Sequence, residues 1–461
     1  MRHLRSGLQF LFILPVAVLL SACNHDPVSS PEAENENELL AGGRNTVFTT
    51  GFRAFGSGFP DMGGNRASLH EIGDGAFAAT FVTAPAILNP GLGPVYNNIS
   101  CGNCHVGDGR GHAPDEGGKL ESMLFRISVP GSDAHGGPAA VPGFGGQLQD
   151  KAVYGIQPEA GVSLQWIEEV KNFVDGGSQA VRKPVYTITD PYRTWPGNAM
   201  LSARVAPPVH GLGMLEAIPE ADIMKYADPA DANGDGISGK ANSVWNEHEQ
   251  RMSIGRFGWK SEAPTLLQQV AGAYSEDMGI TSFIFPYDSR WSDSQKTISG
   301  HEISDSLLYA TTFYCRSLAV PARRNVSNPD VLQGKVLFKE AGCDGCHVPK
   351  FRTGVDVSFP EISSQVIFPY TDMLLHDMGD DLSDNRPTYL ATGNEWRTPP
   401  LWGIGLTKVV NGRNNFLHDG RARSLMEAVL WHGGEGTTAR EKVQNMKASD
   451  RAKLVKFLES L

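Results

Sequence analysis

Two short runs carry the same chemical mark. Cys101-Gly102-Asn103-Cys104-His105 and Cys343-Asp344-Gly345-Cys346-His347 both read C-x-x-C-H. Two thiols at that spacing can add to the two vinyl groups of one haem, and the adjacent histidine then sits under the iron as proximal ligand. One match could be coincidence or a redox C-x-x-C. Two matches, using four of the six cysteines, point to two covalently attached c-type haems with His105 and His347 on the irons. Cys315 lies in an apolar helical pattern with Leu307, Leu308, Phe313 and Leu318, and reads as a buried structural thiol. A third run could hold calcium. Asp231, Asn233 and Asp235 stand at positions one, three and five of a loop, Gly236 at six, and the Ile237 carbonyl at seven, like the front of an EF-hand. Position twelve is Asn242, which cannot give a bidentate carboxylate, so an Asx-rich turn is the competing reading.

These marks need elements to position them. Asp330 to Lys339 has apolar residues at helical spacing and runs into Gly342 just before Cys343; Asp450 to Leu458 is a second amphipathic helix. The pair resembles the terminal helices that pack together in class I cytochromes c. The expected layout is an N-terminal haem domain over residues 42–160, a connecting region with the candidate calcium turn over 161–325, and a C-terminal haem domain over 326–461. The expected fold class is mainly α, two cytochrome-c-like haem domains with a long loop-rich insertion between them. With 52 glycines and 29 prolines, 40% hydrophobic and 20% charged residues, the composition is that of a loop-rich globular chain rather than a disordered or polytopic membrane one. A formal charge of −11 argues against nucleic acid as a partner. No G-x-G-x-x-G, phosphate-binding loop, serine triad or H-E-x-x-H is present, so hydride, phosphoryl and proteolytic chemistry lack support. In the connecting region His210 and His248 read as buried, satisfied imidazoles, while Glu168-Glu169 and Asp380-Asp381 read as solvated faces.

The first segment reads as an address. Arg2 and Arg5 precede an apolar run from Leu8 to Leu20 and the small residues Ser21-Ala22, the pattern of a signal peptide over residues 1–22. Leu20-Ser21-Ala22-Cys23 resembles the lipobox of bacterial lipoproteins, which implies lipidation of Cys23. Residues 23–41, with Pro31, Glu32, Glu34, Glu36 and Glu38, read as a flexible solvated tether. The expected location is the bacterial cell envelope, lipid-anchored and facing the periplasm or cell exterior.

Four longer runs carry a family resemblance: Ile99 to Gly111, Arg204 to Gly213, Leu374-Leu375-His376-Asp377-Met378-Gly379, and Trp396 to Gly403. Together they resemble the di-haem oxidoreductase, putative peroxidase family, related to bacterial diheme cytochrome c peroxidases and methylamine-utilisation diheme enzymes. The resemblance covers the chain from about residue 42 to its end. It implies that Phe416-Leu417-His418-Asp419-Gly420-Arg421 precedes a helix carrying the second axial ligand of the C-terminal haem, at His432, where the peroxidases have methionine and the methylamine enzymes tyrosine. A helix-end histidine capping carbonyls is the competing reading of His432. His418, His376, Met373 and Met378 are rival ligands.

The same resemblance implies a glutamine and, ten residues on, a glutamate over an open N-terminal haem. Gln149 and Glu159 keep that interval, with Gln147 as an alternative amide. A carboxyl near bound peroxide can take a proton from one oxygen and return it to the other, so Glu159 is the expected acid-base group. Two features depart from the relatives. Val153 stands where the peroxidases have proline, and no tryptophan lies between His105 and Gln149, leaving Trp402 or Trp259 as candidate bridges between haems. The implied function is reduction of hydrogen peroxide at the N-terminal haem. Electrons would come through the C-terminal haem from a small cytochrome or a quinol-linked protein. Alternatives are an oxidase or oxygenase on the same scaffold, as in the methylamine enzymes and rubber oxygenases, or a non-catalytic surface electron-transfer lipoprotein serving iron uptake.

Overall fold

The computed structural model describes residues 37–287 and 300–461. The expected signal peptide and Cys23 lie outside the described residues. Among the described residues, no helix is long and apolar enough to cross a membrane.

Two helix pairs organise the halves that carry the two C-x-x-C-H runs. In the C-terminal half, α5 (Pro329–Ala341) packs on α7 (Ala448–Ser460). Asn328 caps α5 by accepting from the Asp330 N–H, and Gly342, at φ +87°, ends it and turns the chain into Cys343. In the N-terminal half, α1 (Gly64–Ala78) packs on α4 (Asp305–Ser317). The same device closes both pairs. A Cβ on Gly334 would overlap the Lys453 carbonyl oxygen and stand 2.8 Å from Phe457 Cβ; one on Gly73 would overlap the Ala310 carbonyl and stand 2.7 Å from Tyr314 Cβ. Only glycine lets the backbones approach so closely. The helix that closes the first haem half therefore comes from residues 305–317, well beyond the span of 42–160 in which its C-x-x-C-H lies.

The fold is mixed α/β rather than mainly α, and the connecting region holds strands and helices as well as loops. The described residues form several small sheets. Strand β1 (Met123–Ser132) pairs antiparallel with β4 (Met200–Val205), from Met123 opposite Val205 to Ser128 opposite Met200, and with Gln147–Leu148 on its other edge. β2 (Gly161–Asn172) and β3 (Ser178–Thr189) form a twelve-residue-per-strand hairpin turned at Asp175-Gly176-Gly177, with Gly176 at φ +86°. Its alternating Val, Leu, Trp and Ile residues are a strand signal that a helix-centred reading passes over. Phe173 and Val181 of this hairpin enter the core that holds α5 and α7. The hairpin is also tied to α6 (Leu425–Leu430), where Arg182 N donates to Glu427 Oε1 at 3.0 Å and Arg423 pairs with Glu168 at 2.8 Å.

The expected tether is docked from Glu38 onward. Glu38 is 3% exposed; it pairs with Arg323, lies 2.7 Å from Lys335 Nζ and accepts from the Tyr370 hydroxyl at 2.8 Å. A buried carboxylate needs such partners to offset its desolvation. Its charge reads as solvated in sequence because its three partners lie roughly 285 to 330 residues away.

Candidate functional site

The first site is built around His105, which follows the short helix α2 (Cys101–Cys104). Strand β4 runs into Ala206-Pro207-Pro208, and the Pro207 carbonyl accepts a hydrogen bond from His105 Nδ1 at 2.7 Å. Consecutive prolines keep that segment extended and leave its carbonyls without local donors. With Nδ1 tied down, Nε2 is the free ring nitrogen, the tautomer an iron ligand needs. Burial pushes His105 down to about 4, partly offset by its Pro207 and Gly109 contacts, so the ring is neutral at physiological pH. Burial likewise pushes the Cys104 thiol up to about 12 and raises Cys101 further, keeping both protonated and uncharged.

Cys101, Cys104 and His105 line a cavity of about 430 Å³. The cavity is bounded by β1, by the segment 204–210, by α3 (Leu266–Met278) and by 399–407. Its lining is charged as well as apolar. Arg126 of β1 pairs with Glu276 of α3, and Arg204 lies 3.1 Å from Glu262. The Arg110 Nε, Arg204 Nη2 and Arg386 Nε groups are buried without hydrogen-bond partners, although each of these side chains borders the cavity. Unpaired guanidinium N–H groups are costly. Haem propionates are the kind of anion that would satisfy them, so the residues present fit a covalently held haem.

Of the histidines among the described residues, only His105 and His210 border this cavity. His112 is bonded to Ser122 Oγ at 3.1 Å and His135 is stacked on Trp245 at 3.9 Å. His210 is buried, as expected, but only partly satisfied. Its Nε2 lies 3.2 Å from the Trp402 carbonyl and its Nδ1 has no partner. His248, expected to be buried, is instead exposed, with its ring edge-on to Phe283 at 6.0 Å.

The expected catalytic side chains stand one layer behind the cavity wall. Glu159, Gln149 and Gln147 are not among its lining residues. Glu159 Oε2 accepts from the Gln149 N–H at 2.8 Å. The Gln149 side-chain amide then donates to the Glu276 carbonyl at 2.7 Å, and that of Gln147 donates to the same carbonyl at 3.1 Å and to Asp277 Oδ1 at 2.7 Å. The three residues thus hold the last turn of α3, and the acidic residues that line the cavity from that turn are Glu276 and Asp277. Sequence spacing found Gln149 and Glu159 but not the carboxyl groups that border the cavity.

The second site has two histidines prepared in the same way. His347 Nδ1 lies 3.0 Å from the Tyr370 carbonyl, and His432 Nδ1 lies 2.8 Å from the Ala428 carbonyl one turn back in α6. Each ring therefore keeps Nε2 free. Burial lowers both, His347 to about 4, and the nearby His432 ring adds to the lowering of His347. The rival ligands are committed elsewhere. His376 is bound at both nitrogens, Nε2 at 2.8 Å from Asp372 and Nδ1 at 2.7 Å from Glu435. Burial opposes its charge, but the Asp372, Cys346 and Glu435 contacts outweigh it and push His376 up to about 12. It is an imidazolium brace beside Cys346, with no lone pair to offer. His418 stacks face to face on Trp396 at 3.6 Å. Met373 is buried in a neighbouring core, and Met378 packs between two cores.

The candidate calcium loop is closed on itself. Asp231 and Asn233 side-chain oxygens accept from the Gly236 and Asp235 N–H groups, and Asp235 Oδ1 from that of Ile237. Asn242 is buried and donates to the Lys260 and Thr388 carbonyls. These contacts are those of an Asx-rich turn. The loop also serves the second site, since Ser238 donates twice to Glu435, the partner of His376.

Residues 37–461 match the family model described as di-haem oxidoreductase, putative peroxidase. No curated protein matches. Among solved structures, a chain of Kuenenia stuttgartiensis hydrazine synthase, from a xenon-pressurised crystal, is 14% identical with a TM-score of 0.35, covering 99% of this chain and 100% of that one. A MauG-like protein associated with microbial copper homeostasis is 15% identical with a TM-score of 0.29, covering 55% of this chain and 89% of that one.

Proposed function

Because the chain belongs to the di-haem oxidoreductase, putative peroxidase family, we propose that it reduces hydrogen peroxide at the His105 site with electrons relayed through the His347/His432 site. One contrast carries this reading. Among the described residues, His105 faces a cavity bordered by only one other histidine, itself bonded to Trp402, whereas His347 and His432 form a matched pair with both Nε2 atoms free. A haem attached at Cys101 and Cys104 would supply an iron with a face open to peroxide, and one between two imidazoles would transfer electrons.

Reduction of peroxide to two waters takes up two electrons and two protons. Glu276 is the proposed proton carrier, taking the proton from one peroxide oxygen and delivering it to the other. Arg126, paired with it, would stabilise charge as the O–O bond breaks. Glu159, Gln149 and Gln147 are proposed to hold Glu276 in place. The electron donor is proposed to be a small cytochrome or quinol-linked protein, and the chain a lipid-anchored envelope protein. Magnetic resonance of the holoprotein with peroxide or cyanide tests the reading. One haem should respond to the added molecule and the other remain low-spin. Two haems that both ignore cyanide and peroxide would overturn it.

A further inference from the structure

Two stretches that carry no C-x-x-C-H meet between the haem sites, and each is tied to a proximal histidine. The first is Pro207 to Gly211. Its Pro207 carbonyl holds His105 Nδ1 at 2.7 Å. The second is Pro369 to Gly403. The Leu401 N–H donates to the Pro369 carbonyl at 2.8 Å, and the next carbonyl, of Tyr370, holds His347 Nδ1 at 3.0 Å. His210 joins the two, because its Nε2–H donates to the carbonyl of Trp402, adjacent to Leu401, at 3.2 Å.

The contact is built for close approach. Gly211 and Gly403 both sit at φ +74°. A Cβ on Gly211 would stand 2.6 Å from Trp402 Cζ2, and one on Gly403 would stand 2.7 Å from His210 Nε2. Neither position tolerates a side chain without separating the strands. The imidazole is clamped on its other face by Phe55, stacked at 4.0 Å and 16°. His210 Nδ1 is buried without a partner, an uncompensated desolvation. A phenylalanine would fill the same space without that cost, and would lose the bond to Trp402.

We propose that electrons pass between the two haem sites along this connection, with His210 as the coupling side chain: His347, Tyr370, Pro369, Leu401, Trp402, His210, Pro207, His105. With haems attached at both sites, each passage would carry one electron from the His347 site to the His105 site; no bond would form or break and no proton would move. The proposal rests on the two-haem relay above. His210 acts through its bond to the Trp402 carbonyl and is a positioning residue for electron flow.

The test uses the two-haem holoprotein, pulsed with a substoichiometric small reductant while the absorbance of both haems is followed. His210→Phe should slow redistribution of the electron several-fold, with both haem spectra and both potentials unchanged. His210→Gln, whose amide can donate to the Trp402 carbonyl, should restore much of the rate, and Gly403→Ala should slow it. An unchanged rate in His210→Phe and Gly403→Ala, with both haems attached, would overturn the route. So would a change in the His105 haem spectrum of His210→Phe, which would mean that His210 only supports the ligand. If the unaltered holoprotein shows no redistribution between its haems, the relay itself fails, a result separable from either of these.

Discussion

Gly334 of α5 lies directly beneath Phe457 of α7, so close that a Cβ on Gly334 would come within 2.8 Å of Phe457 Cβ. Gly334→Ala should force the helices apart and destabilise the C-terminal haem half by about 1–3 kcal/mol, as overpacked contacts do. Gly73→Ala should do the same to the N-terminal half. Denaturant unfolding monitored at each haem would show the two effects independently, since the sites share no partner. A neutral Gly334→Ala would mean that the crossing has slack.

Replacing His432 should change the second site without releasing its haem, because Cys343 and Cys346 hold the porphyrin. His432→Met is expected to raise the potential of that haem, a thioether favouring the reduced iron more than an imidazole does. Spectroelectrochemistry reads the shift. A spectrum and potential identical to those of the unaltered protein would remove His432 from the iron.

Glu276→Gln should lower peroxide turnover by roughly 10²- to 10⁴-fold, the usual contribution of a positioned acid-base group, with both haem spectra retained. Glu159→Gln keeps an acceptor for the Gln149 N–H, so its effect should be much smaller. The reverse order of effects would return the acid-base role to Glu159.

Asp277 beside the cysteines of the first site should give a measurable pH signature. Burial pushes its carboxyl up from 3.8 to about 6, with Gln147 and Arg126 offsetting only part of this. A raised carboxyl contributes stability in its neutral form, present in full below 3.8 and lost as pH rises through 6. The ionised form therefore costs on the order of 3 kcal/mol at neutral pH. Asp277→Asn, which keeps the acceptor for Gln147, should gain stability relative to the unaltered protein as pH rises from 4 to 7. A stability difference flat across that range would refute the assignment.

Glu38→Ala should destabilise the C-terminal half by about 3–5 kcal/mol, because Arg323 would be left buried with its charge uncompensated. Tyr370 would also lose its hydroxyl partner while its carbonyl still holds His347. Unfolding of the variant, followed at the second haem, measures the loss; a cost below about 1 kcal/mol, typical of an exposed pair, would show that Glu38 is solvated in solution.

The sequence alone determined whatever is encoded by neighbours along the chain. The two C-x-x-C-H runs at residues 101–105 and 343–347 are legible because thioether spacing is local, and so are α5 and α7, because an amphipathic period of 3.6 repeats within one segment. The pairing of α1 with α4, the burial of Glu38 and the strand-rich middle depend on partners far away in the chain, and only the tertiary structure decided them. The acid at the cavity shows the difference most clearly. Gln149 and Glu159 keep the interval that the resemblance implies, yet Glu159 accepts from the Gln149 N–H and the Gln149 amide donates to the carbonyl of Glu276, more than a hundred residues later. A spacing of ten residues records which groups are held together; which of them meets the cavity depends on how α3 packs against β1.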